Sequence, residues 1–488
     1  MLMRMIYDDR LAQAAYLLGC QKTGEAIVID PERDVDRYIA AAAKEGLRIT
    51  AVAETHIHAD FLSGTREMAE RVNAKVYVSG EGGADWQYGW LGKRAGGGAY
   101  AHRVLRDGDV FMIGGIELRA VHTPGHTPEH MMYVVTDRGG GADEPMGAAT
   151  GDFVFVGDLG RPDLLETAAG QAGAKEPAAQ RLFQTLRKFT SMPEYVQVWP
   201  AHGAGSACGK ALGAVPQTTV GYERRFNPAI RAAADGERAF VDFILAGQPE
   251  PPMYFARMKR ENRDGPRVLG ALPSPRRLSA AEIGALDGAG TAIIDTRAWK
   301  AFSAAHVRGS LFAPIDGMFQ GVVGSYVEAE EPIVLIAEPG RIEETVRDLV
   351  RIGLDRIEAW AEPGDVERVL GAAGGAAAQT TGEIDAAEAA ERVRAGSAFV
   401  LDVRRSGEFA EGHVEGAVNV AHTRLPERLK DLPRGRPMLV NCRSGARSAR
   451  ACAYLQRRGY DVTNVAGGYL AWEPALGAVR AGCANNRA

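Results

Sequence analysis

A chain of 488 residues, 46% hydrophobic and 24% charged, has a globular composition and is too long for one core, so about three domains are expected. Its net charge of −5, with no basic run, excludes nucleic acid as an expected partner. No apolar stretch approaches the roughly 18 residues of a membrane span, and Met1–Asp9 lacks the apolar core of a signal peptide, so no membrane partner is expected.

Residues 11–31 alternate apolar stretches around Gly19-Cys20-Gln21-Lys22-Thr23-Gly24, which predicts a hairpin ending at Ile29-Asp30-Pro31. Asp34 to Glu45 has helical apolar spacing with Asp34 as N-cap, and Ile49-Thr50-Ala51-Val52-Ala53 reads as a buried strand. A helix is predicted over 63–72, then strands over 75–78, 110–113, 116–121 and 131–136. Gly96-Gly97-Gly98 and Gly139-Gly140-Gly141 read as loop tips. A helix over 178–190 and the strand Val196-Gln197-Val198-Trp199 come next, then helical packing over 216–260. Arg263-Asp264-Gly265-Pro266 through Pro273-Ser274-Pro275 reads as a linker.

Residues that can bind a metal gather where these strands end. Glu54-Thr55-His56-Ile57-His58-Ala59-Asp60-Phe61 follows the strand at 49–53. His122-Thr123-Pro124-Gly125-His126, Thr150-Gly151-Asp152 and Pro200-Ala201-His202-Gly203 come later. Loops at strand ends carry function more often than the strands do. Four such loops bearing His or Asp make a metal site the expected use. The five cysteines, Cys20, Cys208, Cys442, Cys452 and Cys483, are odd in number and outside any CxxC pair. Neither a disulfide framework nor a thiolate zinc site is expected, and a reducing cytoplasm fits.

The ordered motifs THxHAD, PGHTP, TGD and PAH resemble the metallo-β-lactamase superfamily over roughly the first half of the chain. Its binuclear zinc hydrolases carry T-H-x-H-x-D-H, whereas Phe61 stands here at the last histidine. A phenyl ring cannot bind metal, which argues against a two-zinc hydrolase. With Gly160-Arg161-Pro162-Asp163 after TGD, the sequence is more similar to the persulfide dioxygenase branch. That resemblance implies one Fe(II) per chain, held by His56, His126 and Asp152, the facial triad of non-haem iron oxygenases. It leaves positions open for O₂ and a sulfur substrate. Asp158, six residues past Asp152, is a second candidate; the spacing from Asp152 to Gly160-Arg161 matches the family pattern better. His58, Asp60 and His202 would orient ligands or substrate. The resemblance gives Arg161 an anionic part of the substrate to hold. Cys208, on the glycine-rich loop after His202, lies where it can reach the substrate entrance; the alternative is a small buried filler.

After the linker the sequence repeats itself. Ile293-Ile294-Asp295-Thr296-Arg297, followed by His306-Val307-Arg308-Gly309, returns as Val400-Leu401-Asp402-Val403-Arg404 and His413-Val414-Glu415-Gly416. Gly371-Ala372-Ala373-Gly374-Gly375-Ala376 reads as a flexible tether between the copies. The repeat resembles rhodanese. Its second copy has the full loop Cys442-Arg443-Ser444-Gly445-Ala446-Arg447 between a strand and a helix, and the closing Gly467-Gly468-Tyr469 with Trp472. Cys442 would sit under helix N-terminal N–H groups, with Arg443 and Arg447 nearby, which favours a thiolate and an anionic persulfide. In the first copy Ala337 stands where the nucleophile belongs and Glu338 puts negative charge beside it, so that copy forms no persulfide.

The whole order resembles bacterial persulfide dioxygenase–rhodanese fusions. The implied fold class is α/β: a metallo-β-lactamase αββα sandwich over 1–265, an inactive rhodanese-like domain over 277–372 and an active rhodanese domain over 380–478. The implied partners are a low-molecular-weight thiol persulfide, O₂ and sulfite or thiosulfate. The alternatives are a zinc thioester hydrolase of the glyoxalase II type fused to a sulfurtransferase, and a non-enzymatic sulfur carrier. The sequence leaves the oligomeric state open, although dimers are common in the superfamily.

Overall fold

Short, mostly apolar strands build two six-stranded sheets in the first unit. A computed structural model describes residues 1–167, 170–372 and 378–476. It separates the chain into Met1–Leu272 with Val350–Gly353, and Pro273–Leu349 with Leu354–Ala488. In the first unit one sheet takes its strands in chain order: Leu2–Asp8, Gln13–Cys20, Glu25–Ile29, Arg48–Ala53, Lys75–Ser79 and His102–Leu105. The other runs Thr218–Thr219, Gln197–Pro200, Gly147–Gly151, Met131–Asp137, Ile116–His122 and Val110–Ile113.

The inner faces of both sheets share one core, including Tyr16, Ile27, Ile29, Ala51, Ala53, Leu118, Tyr133 and Trp199. Helices cover both outer faces. Tyr38 of Asp36–Lys44 and Met68 of Thr65–Val72 pack on the first sheet. Leu182 and Phe189 of Lys175–Thr190 pack on the second. The result is an αββα sandwich. Two tyrosines inside it hold the strand-end loops. Tyr133 Oη donates to the Glu54 carbonyl at 2.7 Å, and Tyr16 Oη to the Pro200 carbonyl at 2.9 Å.

Some expected boundaries moved. Leu2–Asp8 and His102–Leu105 are half-exposed edge strands whose polar residues hide the apolar signal. Gly147–Gly151, the sequence GAATG, is a fully buried strand without one β-branched aliphatic residue. Asp34 does not cap the first helix; Val35 holds that position without a side-chain bond, and Asp34 faces Arg37 Nε at 3.6 Å. The segment expected to begin the linker at Arg263 is still helix, Phe255–Asp264, because Phe255, Met258 and Asn262 share a buried face. Of the expected tether, Gly371 and Ala372 end the helix Pro363–Ala372, and 373–376 lie outside the described residues, as does Cys483.

The second unit holds two five-stranded parallel sheets with one shared strand order. The first runs Arg276–Arg277, Ile357–Ala361, Ile333–Ile336, Ala292–Asp295 and Leu311–Phe312. The second runs Gly382–Ile384, Val462–Val465, Met438–Asn441, Phe399–Asp402 and Val418–Asn419. Each copy closes on the same buried pair. Arg297 forks onto Asp295 and donates to the Ala305 carbonyl at 2.9 Å. Arg404 forks onto Asp402 and donates to the Gly412 carbonyl at 2.6 Å. No helix among the described residues is long and apolar enough to cross a membrane.

Asn262 is the polar tie between the last helix of the sandwich and the loop after the fourth strand. Its Nδ2 donates to the carbonyls of His58 and Phe61 at 2.8 and 2.7 Å, and its Oδ1 accepts from Ser63 N at 2.9 Å. Asn262→Ala leaves these buried groups unpaired and is expected to cost about 3 kcal/mol, since each such orphan costs ~1–3 kcal/mol. Urea unfolding of the variant checks this; a change below about 1 kcal/mol would show that the loop is held by packing alone.

Candidate metal centre and cysteine loop

Four strand ends deliver the side chains. Arg48–Ala53 leads to His56, His58 and Asp60; the turn after Ile116–His122 carries His126. Gly147–Gly151 leads to Asp152, and Gln197–Pro200 to His202. The Thr150-Gly151-Asp152 turn needs its glycine. Gly151 has φ +53°, and a Cβ there would meet Thr55 Oγ1 at 2.6 Å and His130 Nε2 at 2.7 Å.

Donor atoms of His56, His126 and Asp152 all lie within 4.8 Å of one another, and the three residues are buried. His126 Nε2 stands 3.4 Å from Asp152 Oδ2. The far nitrogen of each ring is tied to protein. His56 Nδ1 meets Thr55 Oγ1 at 2.9 Å, and that hydroxyl donates to Asp30 Oδ2 at 2.8 Å. His126 Nδ1 donates to the Arg161 carbonyl at 3.0 Å. These bonds assign the tautomers and leave both Nε2 atoms as free acceptors, the arrangement found behind metal-binding histidines.

A second group shares the space. Donor atoms of Asp60, His202 and Cys208 also lie within 4.8 Å of one another. His202 Nδ1 donates to the Ala12 carbonyl at 3.1 Å, and its Nε2 stands 3.4 Å from Asp60 Oδ2 and 3.3 Å from Asp152 Oδ1. Among the described residues neither Asp60 oxygen has a hydrogen-bond partner, although the carboxylate is buried. Burial lifts Asp60 and Asp152 to about 6 and pushes His126 down to about 3. Burial, with Asp60 and Asp152 close by, pushes the Cys208 thiol up. Both Asp60 oxygens and His202 Nε2 are buried acceptors without a hydrogen-bond partner among the described residues, which suits a cation, so this residue set fits a metal.

The remaining expected residues lie around this centre. His58 turns away from it: its Nε2 stands 3.0 Å from Glu54 Oε2 and 3.2 Å from Asp30 Oδ1, and its ring rests on Phe61 with centroids 4.4 Å apart. Against the effect of burial, those two carboxylates hold His58 well above the usual imidazole range. Both Asp158 oxygens are engaged by backbone, Oδ1 by Leu159 N and Oδ2 by Lys210 N and Ala211 N. Asp158 therefore anchors the Cys208 loop. Arg161, expected to hold an anion, is 1% exposed with its fork on Asp163 at 2.8 and 2.6 Å and its Nη1 on the Ala207 carbonyl at 3.0 Å. Cys208 is likewise 1% exposed, so its sulfur faces the buried group.

Several supporting residues carry no mark in the sequence motifs. His130 accepts from Asp152 N at 3.0 Å through Nε2, and its Nδ1 meets Thr123 Oγ1 at 2.7 Å. Glu129 Oε1 accepts from Ile57 N at 2.8 Å. Asp30 accepts from both the amide and the hydroxyl of Thr55. The available signal for His130 is its place four residues after His126; nothing local marks Asp30 or Asn262.

In the second unit Cys442 follows the strand Met438–Asn441 and precedes the helix Ala446–Arg457. It is buried, with Gly445 N donating to Sγ at 3.1 Å and Ser448 Oγ donating at 3.5 Å. The closing glycines bear on the same residue: a Cβ on Gly468 would collide with the Cys442 carbonyl, and Tyr469 N donates to that carbonyl at 2.6 Å. Arg443 is exposed. Arg447 forks onto Glu408 at 2.6 and 2.7 Å, so its charge is already matched. Strand register aligns Asp295 with Ile336 and Asp402 with Asn441, which puts Ala337 at the place of Cys442.

Residues 8–202 match the metallo-beta-lactamase superfamily model, and residues 385–475 match the rhodanese-like domain model. A probable metallo-hydrolase of Burkholderia pseudomallei (strain 1710b) is 32% identical over 46% of this chain and 79% of its own length. The mitochondrial persulfide dioxygenase ETHE1 of Bos taurus is 25% identical over 51% of this chain and 84% of its own. A sulfurtransferase of Allochromatium vinosum is 37% identical over 18% of this chain and 86% of its own. Among solved structures, a metallo-beta-lactamase from Staphylococcus aureus subsp. aureus COL is 38% identical, with a TM-score of 0.65, over 74% of this chain and 99% of that one. The chain therefore belongs to the metallo-β-lactamase superfamily, has persulfide dioxygenases among its relatives, and joins that fold to a C-terminal rhodanese domain.

Proposed function

We propose that the chain is an iron(II) persulfide dioxygenase coupled to a sulfurtransferase. The observation that carries this reading is the buried group of His56, His126 and Asp152, brought together from three strand ends. Two imidazoles and one carboxylate suit non-haem iron(II). The persulfide dioxygenase relative and a thiol loop of rhodanese type in the same chain support it. Bound iron(II) would supply open coordination positions and a redox-active centre through which electrons pass from the persulfide sulfur to O₂. The balance is R–S–SH with O₂ and H₂O giving R–SH, sulfite and two protons; the sulfur pair loses four electrons and O₂ gains them.

The chain's own residues set the conditions. Asp30, through Thr55, fixes the His56 ring, and the Arg161 carbonyl fixes His126. Phe61 and Phe155 lie against His58 and His202, which keeps bulk water from the buried donors. Cys442 would carry sulfane sulfur as Cys442–S–S⁻. Sulfite attack on the outer sulfur breaks the S–S bond, forms thiosulfate and returns the Cys442 thiolate. Gly445 N–H and the Ser448 hydroxyl, both on Sγ, stabilise that leaving thiolate. Carrying both activities on one chain raises the effective concentration of sulfite at Cys442.

One observation favours a two-metal hydrolase instead: the second donor group, Asp60, His202 and Cys208. Phe61 counts against it, because a phenyl ring stands where that second metal would need a nitrogen ligand, and His58 is engaged by Glu54 and Asp30. Metal analysis of protein purified without added metal separates the readings, as one iron per chain against one or two zincs.

His126→Ala is expected to fold, hold little iron and consume no O₂, while sulfur transfer through Cys442 survives. An oxygen electrode and metal analysis read this, and normal iron content in the variant would sink the ligand assignment. Cys442→Ser is expected to keep O₂ uptake with a thiol persulfide and shift the product from thiosulfate to sulfite. Ion chromatography of the products decides it: thiosulfate at the wild-type ratio means that Cys442 serves another acceptor.

A further inference from the structure

The helix Ala446–Arg457 meets Cys442 at its N-terminus, so what it offers an anion depends on where it is held. One face of this helix is committed to the first repeat. Ala449 and Ala453 close a small apolar cluster with Phe302 and Phe312. Tyr454 stacks on Tyr326, with centroids 4.2 Å apart and planes at 14°. Arg457 donates to the carbonyls of Gly288 and Thr291 at 3.0 and 3.2 Å and pairs with Glu331. Positions 449, 453 and 457, with 450 and 454, form one helical stripe.

Arg450 lies in the middle of that stripe and is 3% exposed. Its guanidinium pairs with Asp316 of the first repeat, lies over the Phe312 ring at 5.7 Å, and donates to the Ala446 carbonyl at 2.9 Å. Ala446 is the first residue of the helix, next to the Cys442 loop. The Asp316 carboxylate is half exposed, so solvent screens part of the pair; without it the buried guanidinium keeps the Ala446 carbonyl but loses the tie that holds it to the first repeat. A second tie reaches the loop before the nucleophile's strand: Tyr326 Oη donates to the His422 carbonyl at 2.8 Å. The first repeat has Ala337 where a nucleophile would stand, yet it keeps the buried Asp295–Arg297 pair and these contacts.

From this we infer that the first repeat is a working part of the Cys442 site, with Asp316 and Tyr326 as positioning residues. Asp316 holds Arg450, and through it the helix end that faces the sulfur. Tyr326 holds the His422 loop. The inference takes its purpose from the sulfurtransferase reading of Cys442.

The test uses the full chain. Cys442 is alkylated with iodoacetamide across pH, and modification is read by mass spectrometry. Sulfur transfer from thiosulfate to cyanide is measured in parallel. In Asp316→Asn the midpoint of the alkylation profile is expected to move up, and the rate at neutral pH to fall about tenfold, the effect of weakening one hydrogen bond to a charged sulfur. Asp316→Glu is expected to restore most of the rate. Asp316→Asn added to Arg450→Met is expected to change nothing beyond Arg450→Met alone, because Asp316 acts through Arg450. An unshifted or lowered midpoint in Asp316→Asn overturns the inference, and so does full additivity in the double variant. If the intact protein transfers no sulfur, the sulfurtransferase reading fails, and the alkylation profile still decides the part played by Asp316. Tyr326→Phe keeps the stacked ring and removes only the hydroxyl, so a smaller shift in the same direction is expected.

Discussion

The first unit is built around an electrostatic burden: two carboxylates, Asp60 and Asp152, buried beside three imidazoles whose free nitrogens are acceptors. Burying a carboxylate without a hydrogen bond is costly, and neither Asp60 oxygen has a hydrogen-bond partner among the described residues. A scaffold that kept such groups together by their mutual attraction would fail. This one keeps them together by ties on the other side of each group: Thr55 and Asp30 behind His56, the Arg161 carbonyl behind His126, the Ala12 carbonyl behind His202, and His130 under the Asp152 amide. The sandwich core supplies the rest of the force, with Tyr16 and Tyr133 reaching from between the sheets to fix two of the loops. A cation at this point would relieve the burden that the fold imposes.

The two repeats of the second unit separate scaffold from chemistry. Both have the same strand order and the same buried Asp–Arg pair beneath it. In both, the histidine of H-x-x-G stacks on a phenylalanine at 3.9 Å. They differ at the residue after the third strand of each sheet, Ala337 against Cys442, and in the loop beyond it. The loop Cys442–Ala446 turns through Gly445 at φ +96° and puts an N–H on the sulfur, whereas the first copy runs through Pro339, which has no N–H to give. Function resides in the loop, and the fold around it is shared.

The motifs are legible because the chemistry needs particular residue types at particular strand ends. THxHAD, PGHTP, TGD and PAH can be read in order without coordinates, and so can the duplication of D-x-R and H-x-x-G. The strands with alternating or β-branched apolar residues are equally plain, Arg48–Ala53 and Ile116–His122 among them. Gly147–Gly151 is hidden because its burial comes from both sheet neighbours and both faces, and its own residues carry no strand preference. The last turn of the helix Phe255–Asp264 is hidden behind a charged and glycine-bearing segment, because Asn262 holds it by bonds to a loop far away along the chain.

By itself the sequence determined which groups are available: His56, His58, His126 and His202 with Asp60 and Asp152 in loops, one thiol in a Cys-to-Arg loop, and a copy of that loop without its thiol. The tertiary structure decided which of them meet. It joined His56, His126 and Asp152 into one donor group, set Asp60, His202 and Cys208 into another, and turned His58 away to Asp30 and Glu54. It also closed Arg161 on Asp163 and Arg447 on Glu408. The physical reason is that a side chain's type is local, whereas its free valence depends on which distant backbone and carboxylate groups reach it first. Packing settles that competition, and residue order along the chain does not.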